Sequence, residues 1–183
     1  MGHNESRRGL FGLGAAAVAF GAAALMSTVT APASRADDFT ELAHDVQNLF
    51  AAGQSDFTTA LSDLNSGLGV PDGLWAYYTG VENEQVFAPY QVLLGSVEAL
   101  QNQTITELSP LGLGGTPATF AEALVFAENS ISEGEFLLNT GATDLAMGDF
   151  TDALQFDFAG FFDTFNYPLQ LLVVGAADAL LGI

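Results

Sequence analysis

The C-terminal stretch Pro168–Ile183, PLQLLVVGAADALLGI, is anticipated by an earlier one, Pro89–Leu100, PYQVLLGSVEAL. Pro89, Gln91, Leu93, Gly95, Ala99 and Leu100 recur as Pro168, Gln170, Leu172, Gly175, Ala179 and Leu180, at an offset of 79 or 80 residues. The echo widens outward: Gly80 matches Gly160, Asp72 matches Asp152, and Asp63-Leu64 matches Asp144-Leu145. Phe39, Glu41, Asn48 and Gly53 fall 81 residues before Phe120, Glu122, Asn129 and Gly134. A near-constant offset points to one unit present twice, Phe39–Asn102 and Phe120–Ile183, fewer copies than a solenoid needs. The expected fold is all-α, a helical bundle built from two tandem repeats of about four helices each.

Helical spacing supports that reading within each unit. Phe39–Ala52 gathers Phe39, Leu42, Val46, Leu49 and Phe50 on one face. Asp38 with Glu41, and Thr119 with Glu122, form capping-box patterns at corresponding places. Gly53 and Gly134 are expected to stop these first helices, because glycine readily takes the left-handed conformation of a C-cap. A second helix carries Phe57, Ala60, Leu61 and Leu64, with a less regular counterpart around Glu135–Leu145. The third segments, Asp72–Phe87 and Phe150–Phe165, are aromatic belts. The fourth are the proline-led helices of the echo, with Pro89 and Pro168 at a first helical position. The second of these is apolar nearly all round, interrupted by Gln170 and Asp178, and is expected to be buried against the rest of the domain or against another molecule. Between the units, residues 103–119 carry Pro110, Gly112, Gly114, Gly115 and Pro117 and read as a linker or exposed loop; Asn102-Gln103-Thr104 matches a non-specific glycosylation sequon.

Residues 1–36 read as a cleaved secretory signal. Ser6-Arg7-Arg8 leads into an apolar run from Gly9 to Val29, and Ser34-Arg35-Ala36 supplies small residues for cleavage after Ala36. The paired arginines resemble a twin-arginine signal, with the general secretory route and an uncleaved anchor as alternatives. The remainder, residues 37–183, is expected to form one folded domain, large enough to bury a core without disulfides, and the chain has no cysteine.

Arg7, Arg8 and Arg35 are the only Lys or Arg residues, whereas 21 of the 22 acidic residues follow residue 36. The exported part therefore has a formal charge of −21, with His44 its only histidine. Nucleic acid, bound through cations that displace counterions, is excluded as a partner, and anionic headgroups are disfavoured. Apolar runs beyond residue 36 are too short for a transmembrane helix. Crowded carboxylates should stabilise the fold in mild acid relative to neutral pH.

Catalytic chemistry finds little support. His44 lies on the polar side of its helix, no Gly-x-Ser-x-Gly elbow exists, and nothing is nominated as its nucleophile. The pairs Glu82/Glu84 and Glu133/Glu135 lack a sugar-binding signature. One histidine and no cysteine disfavour transition metals, no calcium loop is present, and Gly112-Leu113-Gly114-Gly115 lacks the Lys-Ser/Thr of a phosphate loop. No catalytic, cofactor-binding or metal-binding residue is nominated, and no cofactor is expected. The candidate apolar interaction surface comprises Trp75, Tyr78, Phe156, Phe158, Phe161, Phe162 and Phe165.

The signal, the Ala/Gly/Phe/Leu/Asp bias, the missing cations and motifs such as Gly53-Gln-Ser-Asp-Phe57 resemble small exported proteins of mycobacteria and related actinobacteria, closest in composition to the PE/PPE-type envelope proteins. The Pro-Glu start and Gly-Gly-Ala arrays of that group are absent. The resemblance implies a cell-envelope or secreted setting and carries over no functional residue. The expected role is that of a non-catalytic structural or interaction protein, a homo-oligomer or envelope component; the alternative is a binder or carrier of a lipid or other apolar ligand.

Overall fold

A computed structural model describes residues 33–66, 69–112 and 116–181, with residues 33–36 described by their backbone alone. The expected signal segment otherwise lies outside these residues. The described chain is all-helical: α1 (Ala33–Ser66), α2 (Val70–Glu82), α3 (Ala88–Gln101), α4 (Phe120–Met147), α5 (Phe150–Phe161) and α6 (Tyr167–Leu181). Single π-helical segments, Asn83–Phe87 and Phe162–Asn166, join α2 to α3 and α5 to α6, so four long rods result. α1 packs along α2 and α3, and α4 along α5 and α6; the two hairpins meet where α2 touches α6 and α3 touches α5.

Two of the expected helix stops are helix interiors. α1 continues through Gly53 and α4 through Gly134, so each half has two rods rather than about four separate helices. The glycines serve close approach. A Cβ at Gly53 would lie 2.9 Å from the carbonyl oxygen of Gly80, and one at Gly134 would lie 2.7 Å from that of Gly160. Packing of the two rods at these crossings offsets the roughly 1 kcal/mol that an interior glycine costs a helix. Asp38 likewise lies inside α1, not at its start. Thr119 caps α4 as expected, its Oγ1 accepting from the Glu122 N–H at 3.1 Å, while Glu122 Oε2 reaches one residue further back than a capping box and accepts from the Ala118 N–H at 2.8 Å.

The prolines explain the π segments. A proline within a helix lacks an N–H, and its ring collides with the carbonyl of the residue four before it. Widening the preceding turn relieves that collision. The Ala88 N–H bonds the carbonyl of Asn83, and the Tyr167 N–H that of Phe162, one residue before each proline. The rods therefore continue through Pro89 and Pro168 instead of breaking there.

The linker is a largely exposed loop that is also tied down as a strap. α3 ends at Asn102 in the left-handed conformation (φ 58°), and residues 103–112 run back along α3. Buried side chains of the rod hold the strap. Gln91 donates through Nε2 to the Thr106 carbonyl and accepts from the Leu108 N–H, both at 2.8 Å. Asn83 donates to the Leu111 carbonyl at 3.1 Å and accepts from the Leu111 N–H at 2.8 Å. Glu98 accepts from the Thr106 N–H at 2.8 Å and from its hydroxyl at 2.6 Å. Ile105 is buried in one core cluster with Leu42, Val46, Leu49 and Ala88. A second cluster, Trp75, Ala127, Leu171 and Val174, joins the hairpins. Within the chain α6 is buried along that face, against α2 and α4, while Leu169 and Leu180 are exposed.

Adding a methyl group at the Gly134–Gly160 crossing forces backbone against backbone. Gly134→Ala is expected to destabilise the fold by about 1–3 kcal/mol, whereas Gly112→Ala, whose Cβ meets nothing within 4 Å, should leave stability within roughly 0.5 kcal/mol of wild type. Urea denaturation of both variants checks this pair of outcomes.

Candidate ligand-binding groove

Where α3 meets α5, a groove of about 400 Å³ opens between the hairpins. Its size falls within the roughly 300–1,000 Å³ of small-molecule pockets. The first half contributes Phe87, Tyr90 and the strap residues Leu108 and Leu111; the second contributes Leu137, Gln155, Phe156, Phe158, Ala159, Phe162 and Asp163. The wall is ordered by ring packing. Tyr90 and Phe158 stack with centroids 3.6 Å apart, and Phe87 meets both Phe158 and Phe162 edge-on at 5.4 Å. The Tyr90 hydroxyl donates to the Leu154 carbonyl at 3.0 Å, fixing the ring across the hairpin junction.

A smaller cavity of about 160 Å³ adjoins the groove, sharing Leu111, Phe162 and Asp163 with it. Trp75, Thr79, Glu82, Gly112 and Tyr167 complete its lining. Glu82 is 3% exposed, and its Oε1 accepts a short hydrogen bond from the Gln170 amide. Burial pushes its carboxyl up to about 7, against the milder downward pull of that amide. Burial, reinforced by Glu133, raises Asp163 to about 6. The Trp75 indole N–H is buried and has no partner among the described residues.

The seven aromatic residues nominated from sequence separate into three groups. Phe156, Phe158 and Phe162 line the groove. Trp75 lines the inner cavity and, with Tyr78 packed beside it, belongs to the core between the hairpins. Phe161 and Phe165 face outward, 56% and 57% exposed, with their rings 5.0 Å apart. Sequence reasoning missed Phe87, Tyr90, Tyr167 and the strap's Leu108 and Leu111. Tyr90 and Tyr167 flank the two prolines of the echo, a usable signal, whereas nothing in a Gly/Pro-rich linker marks it as a wall.

His44 is exposed on α1, where its Nδ1 accepts from the Asn48 amide at 3.2 Å. Among the described residues no group of three or more His, Cys, Asp or Glu is placed to hold a metal ion, and no helix is long and apolar enough to cross a membrane. Comparison with protein-family models, curated proteins and solved structures finds no match.

Glu82 and Asp163 contribute a pH dependence, in the same direction as the raised Asp45, Asp56 and Glu84. Each holds its proton in the folded state at pH values where the unfolded chain has lost it, so its contribution is complete below the unfolded pKa and disappears as pH rises through the folded one. For Glu82, moved from 4.5 to about 7, this is worth about 3 kcal/mol. Wild-type stability is expected to fall between pH 4.5 and 8, and Glu82→Gln should remove about 3 kcal/mol of that fall. Denaturant titrations at the two pH values check it; equal losses in both proteins would contradict it.

Proposed function

We propose that this chain is a non-catalytic exported protein whose bundle holds a small apolar or amphipathic ligand in the groove between its hairpins. The groove itself carries the reading: about 400 Å³ bounded by Phe87, Tyr90, Phe156, Phe158 and Phe162, with aromatic rings drawn from both halves. Apolar walls with a few converging polar groups favour an amphiphile over a sugar or nucleotide. Export to the cell envelope is supported by the signal-like start, and the compositional resemblance to exported mycobacterial proteins points to the same setting.

The two hairpins are best read as copies of one unit. The glycine crossings 53/80 and 134/160, the π segments at 83–87 and 162–166, and the buried glutamines 91 and 170 all recur at offsets of 79 to 81 residues. The junction supports the same reading, since α2 meets α6 where α5 meets α3, a reciprocal pairing like that of a two-fold dimer. Such a joint places equivalent faces against each other and lets the groove form where the copies have diverged.

A second reading, an interaction protein covered by copies of itself, is favoured by the outward row Phe161, Phe165 and Leu169, each more than half exposed. One set of samples separates the two. Protein recovered from its native exported fraction should be monomeric by light scattering and release an extractable amphiphile by mass spectrometry. Phe158→Ala should weaken retention about tenfold, and Leu137→Trp, which fills the groove, should abolish it without loss of fold. Unchanged loads in both variants, or a ligand-free oligomer, would overturn the groove reading.

A further inference from the structure

The smaller, inner cavity shares Leu111, Phe162 and Asp163 with the groove, and its chemistry specifies a head group. Its lining combines two carboxyl-bearing residues, Glu82 and Asp163, with the rings of Trp75, Phe162 and Tyr167. Burial raises the Tyr167 phenol, and the charges of Glu82 and then Asp163 add to that rise. The rings surround one space: Trp75 and Tyr167 meet edge-on at 5.8 Å, and Tyr167 and Phe162 lie nearly parallel at 6.2 Å. Aromatic faces joined to carboxylates are the chemistry that holds ammonium groups.

No described side chain supplies a positive charge to this cavity. No Lys or Arg follows Arg35, and the one later histidine, His44, is exposed on α1 and lines neither cavity. A buried carboxylate without a counterion is costly. Glu82 receives only a neutral amide. The Trp75 indole N–H adds an independent sign of an unfinished site. Trp75 is 4% exposed and lines this cavity, and the N–H has no acceptor among the described residues. A head group that completes the site is positive toward Glu82 and Asp163 and offers an oxygen to the indole. The cavity's 160 Å³ equals roughly five waters at about 30 Å³ each, room for one small head.

We infer that the ligand is a cationic amphiphile, an alkyl chain lying in the groove and a hydroxyl-bearing ammonium head seated in the inner cavity between Glu82, Asp163 and the three rings. This rests on the groove being a ligand site and names the class of ligand. Binding gives the carboxyl groups of the cavity the positive partner that a neutral amide does not provide, shielded by aromatic surface. The tail alone would be indifferent to the charge of its head.

Three probes of equal tail length test this on the intact protein at physiological salt: decyl(2-hydroxyethyl)dimethylammonium, decanol and decanoate, each below its micellar concentration and titrated calorimetrically. The ammonium probe is expected to bind at least about tenfold more tightly than either other probe, the worth of one added ion pair or cation–π contact. The Glu82→Gln/Asp163→Asn variant should bring the three affinities together. Glu128→Gln/Glu135→Gln, which removes two charges from exposed positions, should keep the preference and so separates the cavity from the chain's overall acidity. Equal affinities in wild type, or a preference that survives Glu82→Gln/Asp163→Asn, would overturn the head-group assignment while leaving the groove in place. Failure of all three probes to bind would overturn both.

Discussion

No Lys or Arg follows Arg35, so three acidic side chains packed within this bundle rest on neutral donors. Glu98 takes the backbone and hydroxyl of Thr106, Asp56 takes the Asn83 amide, and Glu82 takes the Gln170 amide. These bonds do what salt bridges do elsewhere, with different consequences. A neutral donor satisfies one or two lone pairs but leaves the charge in a poor dielectric, and burial raises the carboxyl groups of Asp56 and Glu82. The same interactions hold the strap, close the hairpin junction and leave the inner cavity electronegative. Structure and acidity are thus one arrangement.

That arrangement needs rods that pass very close together and run past their prolines. The glycine crossings bring α1 onto α2 and α4 onto α5 at backbone contact, which draws the aromatic belts inward. The π segments then re-aim α3 and α6. Through them Asn83 faces the strap, while Phe162, at the matching place in the second hairpin, faces the groove. One geometric device thus supports a polar clamp in one half and an apolar wall in the other. The groove exists because the halves differ at these positions.

The helical class was legible, since apolar spacing at the helical period survives in any packing. Helix ends were less so. Gly53 and Gly134 carry the residue type of a C-cap, and only the presence of Gly80 and Gly160 across the crossing reveals their use. The strap was hidden for a similar reason. Gln91, Asn83 and Glu98 look like solvated positions until backbone groups of residues 106–111 arrive to pair with them. Of the nominated aromatics, Phe156, Phe158 and Phe162 reached the groove and Phe161 and Phe165 did not. A run of five phenylalanines over ten residues cannot all face one side of a helix, and the sequence does not say which side is covered.

Glu82 concentrates the whole account: a carboxyl on a helix, buried at a hairpin junction, held by an amide and facing a cavity with no cation. Its titration can be read directly by carboxyl-carbon NMR of the ligand-free protein. A midpoint near 7, well above an ordinary glutamate, is the expected result. A midpoint at or below the ordinary value would mean that the carboxylate is solvated or paired with a cation, and would contradict the claim that neutral donors and protons hold this fold's buried acids.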